Sequence, residues 1–368
     1  MKSHITIALA ILLPVFAAAQ PFKVRDGESP RVRQEFPSIK HFREDIDTVS
    51  LFIIGDVMCH SPQLPYDPYM FFEDIADEMA AADFGIANME FTLAGKPYTG
   101  YPCFSAPDTF AEMMGSIGTD VFLMANNHIY DKGASGLSRT LDIYRSMADS
   151  VSFTGAAGSE EEFRNVCPLI LRHHGIRLAI VNFTYALNGP RRKGWPNTAY
   201  MDRNDLEKTM KAARENSDFV LVMPHWGEEY HLRHSASQQE WAQWLVEQGA
   251  DAIVGAHPHV VQDTTHISGV PVVYSVGNAV SNMSKENTRV ELAVKLRFIV
   301  NRTTGEFRVD EPDILPMWCT LPGKLADGYK TIFIEKWTGR REAWSDPSDY
   351  DNMVASWRRV SSATGIGQ

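Results

Sequence analysis

The run Asp251-Ala252-Ile253-Val254-Gly255-Ala256-His257-Pro258-His259 decides how this chain is read. Residues 251–254 read as a short buried strand, and Gly255 marks its end. Ligands of open α/β sheets bind outside the carboxyl ends of the strands, so both imidazoles are expected at such an edge. Pro258 fixes its own φ and pushes His257 toward an extended backbone, which stiffens the turn. Two histidines on one stiff turn have the shape of a metal site, and a solvated loop is the plainer alternative. The other strand ends decide between them.

The same punctuation recurs along the chain. Residues 49–54 form a β-branched and aromatic run that ends at Gly55-Asp56, and residues 84–87 run into Asn88-Met89-Glu90. Residues 120–125 deliver Asn126-Asn127-His128, with Asp131 just beyond, and residues 219–223 deliver Pro224-His225. Helical spacing of apolar residues predicts helices over 67–83, 108–117, 135–148 and 202–218. A capping box over 237–240 opens another, with Trp241, Trp244 and Leu245 inward and its end at Gly249. Strand, polar tip and helix in repetition is the signature of an α/β fold with parallel strands. Residues 168–172 and 176–183 flank His173-His174-Gly175 as a hairpin with a polar tip. Residues 270–276 form a strand ending in Gly277-Asn278, residues 288–300 and 307–315 a second hairpin, and residues 350–360 a terminal helix.

Composition narrows the class. The 368 residues carry 35 Lys and Arg against 46 Asp and Glu, a balance of −11 that argues against a nucleic-acid partner. Lys2 and His4 precede the apolar run 5–16, and Ala17-Ala18-Ala19 offers a cleavage site, the pattern of a secretory signal peptide over 1–19. The run is short for a membrane span, which needs about 20 apolar residues. An exported protein, periplasmic or at the cell surface, is expected. Residues 20–47 read as an extended leader, 48–320 as the main domain and 321–368 as a C-terminal extension without candidate chemistry. Cys59, Cys103, Cys167 and Cys319 lack CxxC spacing, so four isolated buried thiols are expected, with one or two disulfides as the alternative.

Together the strand ends supply Asp56, Glu90, Asn127, His128, His225, His257 and His259. Carboxylate, amide oxygen and imidazole without thiolate is the ligand set of hard or borderline divalent ions such as manganese, iron or zinc. Each residue alone has a plain structural reading: a turn for Asp56, a helix cap for Glu90 or Asn127, a hydrogen-bonded core histidine for His225. Their joint occurrence favours a site.

The segments GDVMCH (55–60), NME (88–90), NNHIYDKG (126–133), PHWGEEY (224–230), GAHPHVVQ (255–262) and YSVGN (274–278) resemble, in order and spacing, the motifs of the CapA-type capsule and poly-γ-glutamate synthesis family. That family is similar in fold to the calcineurin-like metallophosphoesterases. The resemblance implies a four-layer αββα sandwich with a metal centre at the strand ends, and a role in making, releasing or exporting an anionic polymer. It implies that Asp56 and His259 hold a first metal, that Glu90 bridges, and that Asn127, His225 and His257 hold a second. His128 would stabilise charge at the reacting group, oriented by Asp131. The phosphoesterases carry Asp-x-His at the first motif, whereas here Met58 stands in the third position. His60 either substitutes as a ligand or faces solvent, and Met58 reads as core.

Two such metals would activate water and polarise a phosphoryl group or an amide carbonyl. The basic run Arg191-Arg192-Lys193 would steer a polyanion to the site, with a solvated loop as the plainer reading. Three functions follow: a divalent-metal-dependent hydrolase acting on an anionic polymer such as poly-γ-glutamate beside membrane-bound synthesis machinery; a phosphomonoesterase or nucleotidase acting on a phosphate ester; and a non-catalytic polymer-binding export component.

Overall fold

The computed structural model describes residues 45–367. The expected signal peptide over 1–19 lies outside the described residues, as does the expected leader up to residue 44. The first strand, β1 (Ile46–Val57), shows why two sheets form. Its residues alternate between two different cores, so both faces are apolar and both must be covered. Val49, Leu51 and Ile53 point into one core, and Phe52 and Ile54 into another.

Beside β1 lie the parallel strands β2 (Phe84–Met89), β3 (Thr119–Leu123) and β4 (Ser152–Thr154). On its other side runs β14 (Val290–Asn301), antiparallel, followed outward by β16 (Asp313–Thr320) and β17 (Lys330–Phe333). The strands β13 (Asn278–Val280), pairing with β1, and β15 (Glu306–Val309), pairing with β14, complete nine. The second sheet has the order β11 (Thr264–Ile267), β12 (Val270–Val273), β10 (Ala252–Val254), β9 (Phe219–His225), β7 (Ile176–Thr184), β6 (Leu169–His173). Its four inner strands are parallel and each edge is closed by a hairpin. A small ribbon joins β5 (Ala156–Ala157) to β8 (Asn197–Thr198).

The cores fix the layer order. Leu51 and Ile53 share the central core with Leu178, Ile180, Leu221 and Val254, so the two sheets face each other. Phe52 and Ile54 pack with Met79 of α1 (Ala76–Ala81), Met113 of α2 (Asp108–Ser116) and Leu141 of α3 (Gly133–Ser146). On the far side, Val181 and Val222 meet Leu206 and Met210 of α5 (Arg203–Asn216) and Leu245 of α6 (Ala236–Glu247). Helices, sheet, sheet and helices make the expected αββα sandwich. Each fully buried Leu, Ile or Val contributes roughly 1.5–3 kcal/mol, which is what holds the layers together.

Several local expectations are corrected. The helix expected over 67–83 is two pieces, a 3-10 turn Pro68–Phe71 capped by Asp67 and then α1. Between the two pieces Glu73 pairs with Lys330 Nζ at 2.9 Å and Asp74 accepts from Trp337 Nε1 at 3.2 Å, so contacts with the C-terminal region hold the break. The capping box of α6 lies two residues earlier than expected: the Ser235 hydroxyl accepts from Gln238 N and the Gln238 side chain accepts from Ser235 N. The strand expected over 307–315 is divided between β15 and β16, with Pro312 in the break.

The residues past 320 are not an appendage. They supply β17, the single-turn α7 (Ile334–Trp337) and then α8 (Pro347–Thr364), whose Met353 and Val360 enter the central core. Arg289 forms a fork on Asp349 at 2.7 Å for both nitrogens, which ties α8 to β14. β17 is four residues long and α8 is rich in polar residues, so neither announces its buried face. Among the described residues all four cysteines are free; Cys59, Cys167 and Cys319 are buried as expected, whereas Cys103 is exposed.

At Gly55 β1 exchanges its neighbour β14 for β13. A Cβ at position 55 would stand 1.9 Å from the Gly277 carbonyl oxygen, so backbone must move if it is added. Gly55→Ala is therefore expected to destabilise the fold by about 2–3 kcal/mol in urea unfolding. A change below about 0.5 kcal/mol would show that the two backbones can separate freely.

Candidate metal centre

Every strand that could deliver a ligand ends at one edge of the sandwich. Asp56 sits near the end of β1, where the register shifts against both β2 and β13 and the strands part. Glu90 follows β2 directly and donates its N–H to the Val57 carbonyl. Asn126 shapes the turn after β3, donating from Nδ2 to the Met89 carbonyl (2.9 Å) and accepting the N–H of His128 (3.1 Å). That turn presents Asn127 and His128. From the other sheet, β9 ends at His225, and the turn after β10 carries His257 and His259.

All of these side chains are buried. Asp56 Oδ1 accepts from Asn88 Nδ2 at 2.6 Å, and Oδ2 accepts the His257 N–H at 3.1 Å and stands 3.4 Å from His259 Nδ1. His225 Nδ1 stands 3.2 Å from Asn88 Nδ2, and His225 Nε2 stands 2.6 Å from Asn127 Oδ1. Around Glu90 Oε1 stand the Nε2 atoms of His225, His259 and His128 at 3.7, 3.9 and 3.9 Å, all beyond hydrogen-bond reach. Neither Glu90 oxygen has a hydrogen-bond partner, and neither has His257 Nδ1.

At this edge two sets of side chains have ligand atoms within 4.8 Å of one another, Asp56 with Glu90 and His259, and Glu229 with His257 and His259; a third set, Asp83 with His173 and His174, lies at the β6–β7 hairpin. Adjoining the first two, the rings of His225 and His257 are 4.7 Å apart. Fully buried carboxylate oxygens with no donor, faced by imidazoles, fit a divalent cation in chemistry.

The shifts divide the ligands: two imidazoles are held neutral, while His259 and Glu90 are pushed toward their protonated forms. Burial, helped by the neighbouring imidazoles, pushes His225 and His257 well below the ordinary histidine value, which keeps their lone pairs available. For His259 burial also acts downward, but the hydrogen bond and charge of Asp56 outweigh it and the net shift is upward. Burial, then the charge of Asp56, raises Glu90 well above the usual carboxylate range.

His128 is held differently. Its Nδ1 stands 2.7 Å from Asp131 Oδ2, the same oxygen that accepts the Phe104 N–H at 2.8 Å. Its ring lies edge-on to Phe104 at 4.7 Å, and Asn188 Nδ2 is 3.1 Å from Nδ1. His128 and Asp131 are thus brought together beside Glu90.

His60 and the basic run are not gathered into the cluster. His60 begins the 3-10 turn Ser61–Gln63, where its Nδ1 accepts from Asn282 N at 3.2 Å and stands 3.2 Å from Gln63 Oε1. Burial pushes it down to about 4, and it belongs to neither ligand group. β1 has ended before His60 can turn inward, and Met58 and Cys59 go to the core. Arg191 pairs with Asp202 and Asp205 at 3.1 and 3.4 Å, and Arg192 lies over the Tyr130 ring at 5.0 Å. Lys193 has no ion pair among the described residues. The loop folds against α5 instead of reaching into the centre.

Pro258 does not make His257 extended, as expected; its φ is +99° and that of His259 is +56°. The bond from His257 N to Asp56 holds this conformation.

Sequence reasoning gave no role to four residues that position the ligands. Asn88 joins Asp56 to His225, Asn188 joins Asn127 to His128, and Asn278 Oδ1 meets His259 Nδ1 at 2.9 Å. Glu229 is the fourth. Asn88, Glu229 and Asn278 stand inside quoted motifs, which was the available signal, whereas Asn188 stands in none.

The profile of the bacterial capsule synthesis protein PGA_cap matches residues 50–283, the span that carries the whole cluster. The capsule biosynthesis protein CapA of Bacillus anthracis is 26% identical over 82% of this chain and 74% of its own length. The PGA biosynthesis protein CapA of Bacillus subtilis (strain 168) is 25% identical over 77% and 75%. A novel phosphatase from Mycoplasma pneumoniae, known by crystal structure, superposes with a TM-score of 0.44 at 13% identity, covering 74% of this chain and 94% of its own.

The buried carboxylate sets a pH dependence. Glu90 has a folded-state value raised above the ordinary 4.5, so its contribution to stability is full below 4.5 and is lost as pH rises through the raised value. In chelator, Glu90→Gln should remove this term, and its stability advantage over the parent should widen as pH rises from 4.5. Urea midpoints of the two proteins that stay parallel across pH would contradict it.

Proposed function

The chain belongs to the bacterial capsule synthesis protein family PGA_cap, and from that premise we propose that it is an exported divalent-metal-dependent hydrolase acting on an anionic glutamate polymer. Relatives are named for capsule and PGA biosynthesis, which supports a polymer as substrate. The observation that carries the reading is the buried Glu90 carboxylate, without a hydrogen bond and ringed by three imidazoles.

In this reading Asp56, Glu90 and His259 hold one ion, and Asn127, His225 and His257 a second, with Glu90 shared. Glu229 adds a carboxylate to the His257 and His259 side. Manganese, iron and zinc all suit the donors. Bound there, such ions activate water and polarise an amide carbonyl or phosphoryl oxygen.

The chain's own groups do the rest. Asp131 fixes the His128 ring, leaving Nε2 directed at the centre, where it can deliver a proton to a leaving nitrogen or oxygen. The Phe104 ring packs edge-on against that of His128 and holds it in place. This ordered His128–Asp131 pair favours catalysis over mere polymer binding. Export rests on the signal-peptide pattern of residues 1–19; among the described residues no helix is long and apolar enough to cross a membrane.

Protein purified without chelator should carry about two divalent ions per chain by elemental analysis. His257→Ala with His259→Ala should lose them together with cleavage of a γ-linked glutamate polymer. Native protein free of metal would overturn the reading, and turnover of an aryl phosphate without polymer cleavage would move it to a phosphomonoesterase. His128→Ala should keep its metal and lose about 10²–10⁴-fold in turnover, which separates a proton donor from a ligand.

A further inference from the structure

A cavity of about 590 Å³ opens between α5, the loop 191–200 and α4 (Glu160–Val166), apart from the metal centre. Phe163, Trp195 and Leu206 supply its apolar lining. Four cations, Arg164, Arg191, Arg192 and Lys208, line it against two carboxylates, Glu160 and Asp205. Arg164 pairs with Glu160 at 2.8 Å, Arg191 pairs with Asp202 at 3.1 Å and with Asp205 at 3.4 Å, and Lys208 stands 3.6 Å from Asp205. Among the described residues Arg192 has no carboxylate partner. With Asp202 counted the cations still outnumber the carboxylates by one, and Arg192 carries the unpaired charge on a chain of net charge −11.

One loop joins this cavity to the metal centre. Its beginning touches the centre: the Tyr185 ring lies 4.4 Å from His257, and Asn188 contacts Asn127 and His128. Its end lines the cavity: the Arg192 N–H donates to the Tyr200 hydroxyl, and Arg192 caps Tyr130, whose hydroxyl donates to the Pro196 carbonyl. Tyr130 lies two residues after His128, so the two sites share both a loop and a wall.

We propose that this cavity is an accessory subsite that grips a carboxylate-bearing segment of the polyamide chain whose reacting residue occupies the metal centre. The inference rests on the polymer-substrate reading above. A glutamate polymer repeats methylenes and one carboxylate per residue, which matches an apolar floor under a cationic rim. The cavity holds and does not cleave: Cys167, the one thiol lining it, is pushed up to about 12 by burial and accepts the Gly155 N–H at 3.2 Å. The basic loop thus acts on the polymer away from the ligand cluster.

The test is calorimetric titration of the metal-loaded full chain with a γ-linked glutamate oligomer of about eight residues and with its uncharged glutamine counterpart. The acidic oligomer should bind, the neutral one should not, and Arg192→Gln should weaken binding about threefold to tenfold at unchanged thermal midpoint. Arg192→Glu should weaken it further, and raised salt should erase the difference among the three proteins. Equal binding by parent and both Arg192 variants, or equal binding of the neutral oligomer, overturns the subsite.

The variant with His257→Ala and His259→Ala distinguishes the two readings. Oligomer binding that persists there and depends on Arg192 supports the subsite even if the native protein proves metal-free. Binding lost there but unchanged in the Arg192 variants puts the polymer at the metal centre alone, which overturns the subsite and leaves the hydrolase reading standing.

Discussion

Two carboxylates buried side by side are the constraint on which this structure turns. Removing a carboxylate from water is costly by several kcal/mol even after relaxation, and a second nearby adds repulsion. Asp56 is compensated by an amide, a backbone N–H and an imidazole. Glu90 is not, so it either keeps a proton or faces a cation. Within this pair the imbalance falls on Glu90, and the lowered values of His225 and His257 keep those rings from compensating it with their own charge. A protein that carries such a residue gives up stability for function, and three separate apolar cores offset the loss.

The ligand cluster is also a measure of how the two sheets are set against each other. Asp56, Glu90 and Asn127 come from the nine-stranded sheet, and His225, His257 and His259 from the six-stranded one. Asn182 of β7 pins them directly beneath the site: its oxygen accepts the Ala125 N–H at 2.8 Å and its nitrogen donates to the Met223 carbonyl at 2.8 Å. On the six-stranded side, a Cβ at Gly255 would fall 2.2 Å from the Tyr274 carbonyl oxygen and 2.4 Å from Trp226 Nε1, which donates to that same oxygen. The turn that presents both histidines is therefore seated against β12 by backbone contact. Sliding one sheet over the other would separate the ligand halves before it exposed much core.

Strand ends were legible because β1, β2, β3, β9 and β10 are short apolar runs with abrupt polar tips, and a parallel sheet gathers such tips on one edge. What the chain does after a tip was less so. His60 stands only four residues past Asp56, yet β1 stops and a 3-10 turn diverts it, an outcome set by the packing of Met58 and Cys59. Asn88, Asn188 and Asn278 bond to other residues' side chains, and no spacing rule marks an amide whose partner is remote in sequence. The helix expected over 67–83 is interrupted where Glu73 and Asp74 reach Lys330 and Trp337, partners remote in sequence that no local pattern marks. β17 was missed, and the terminal helix was read as lying outside the main domain, because their apolar faces are sparse and become meaningful only against the central core.

The His257-Pro258-His259 turn shows how far a local rule reaches. Proline predicts an extended residue before it, and in isolation that holds. Here His257 and His259 both adopt positive φ, a conformation worth about 1–3 kcal/mol of strain for residues with a side chain. The strain persists because the surroundings over-determine the turn: Asp56 takes the His257 N–H, the Tyr230 N–H donates to the Pro258 carbonyl, and Asn278 Nδ2 donates to the His259 carbonyl while its oxygen meets the ring. Asp56 and Asn278 belong to the opposite sheet, facing each other in the register of β1 and β13. The turn that presents the imidazoles is thus shaped by the same carboxylate those imidazoles would serve with, so ligand placement and sheet packing are one interaction and cannot be tuned separately.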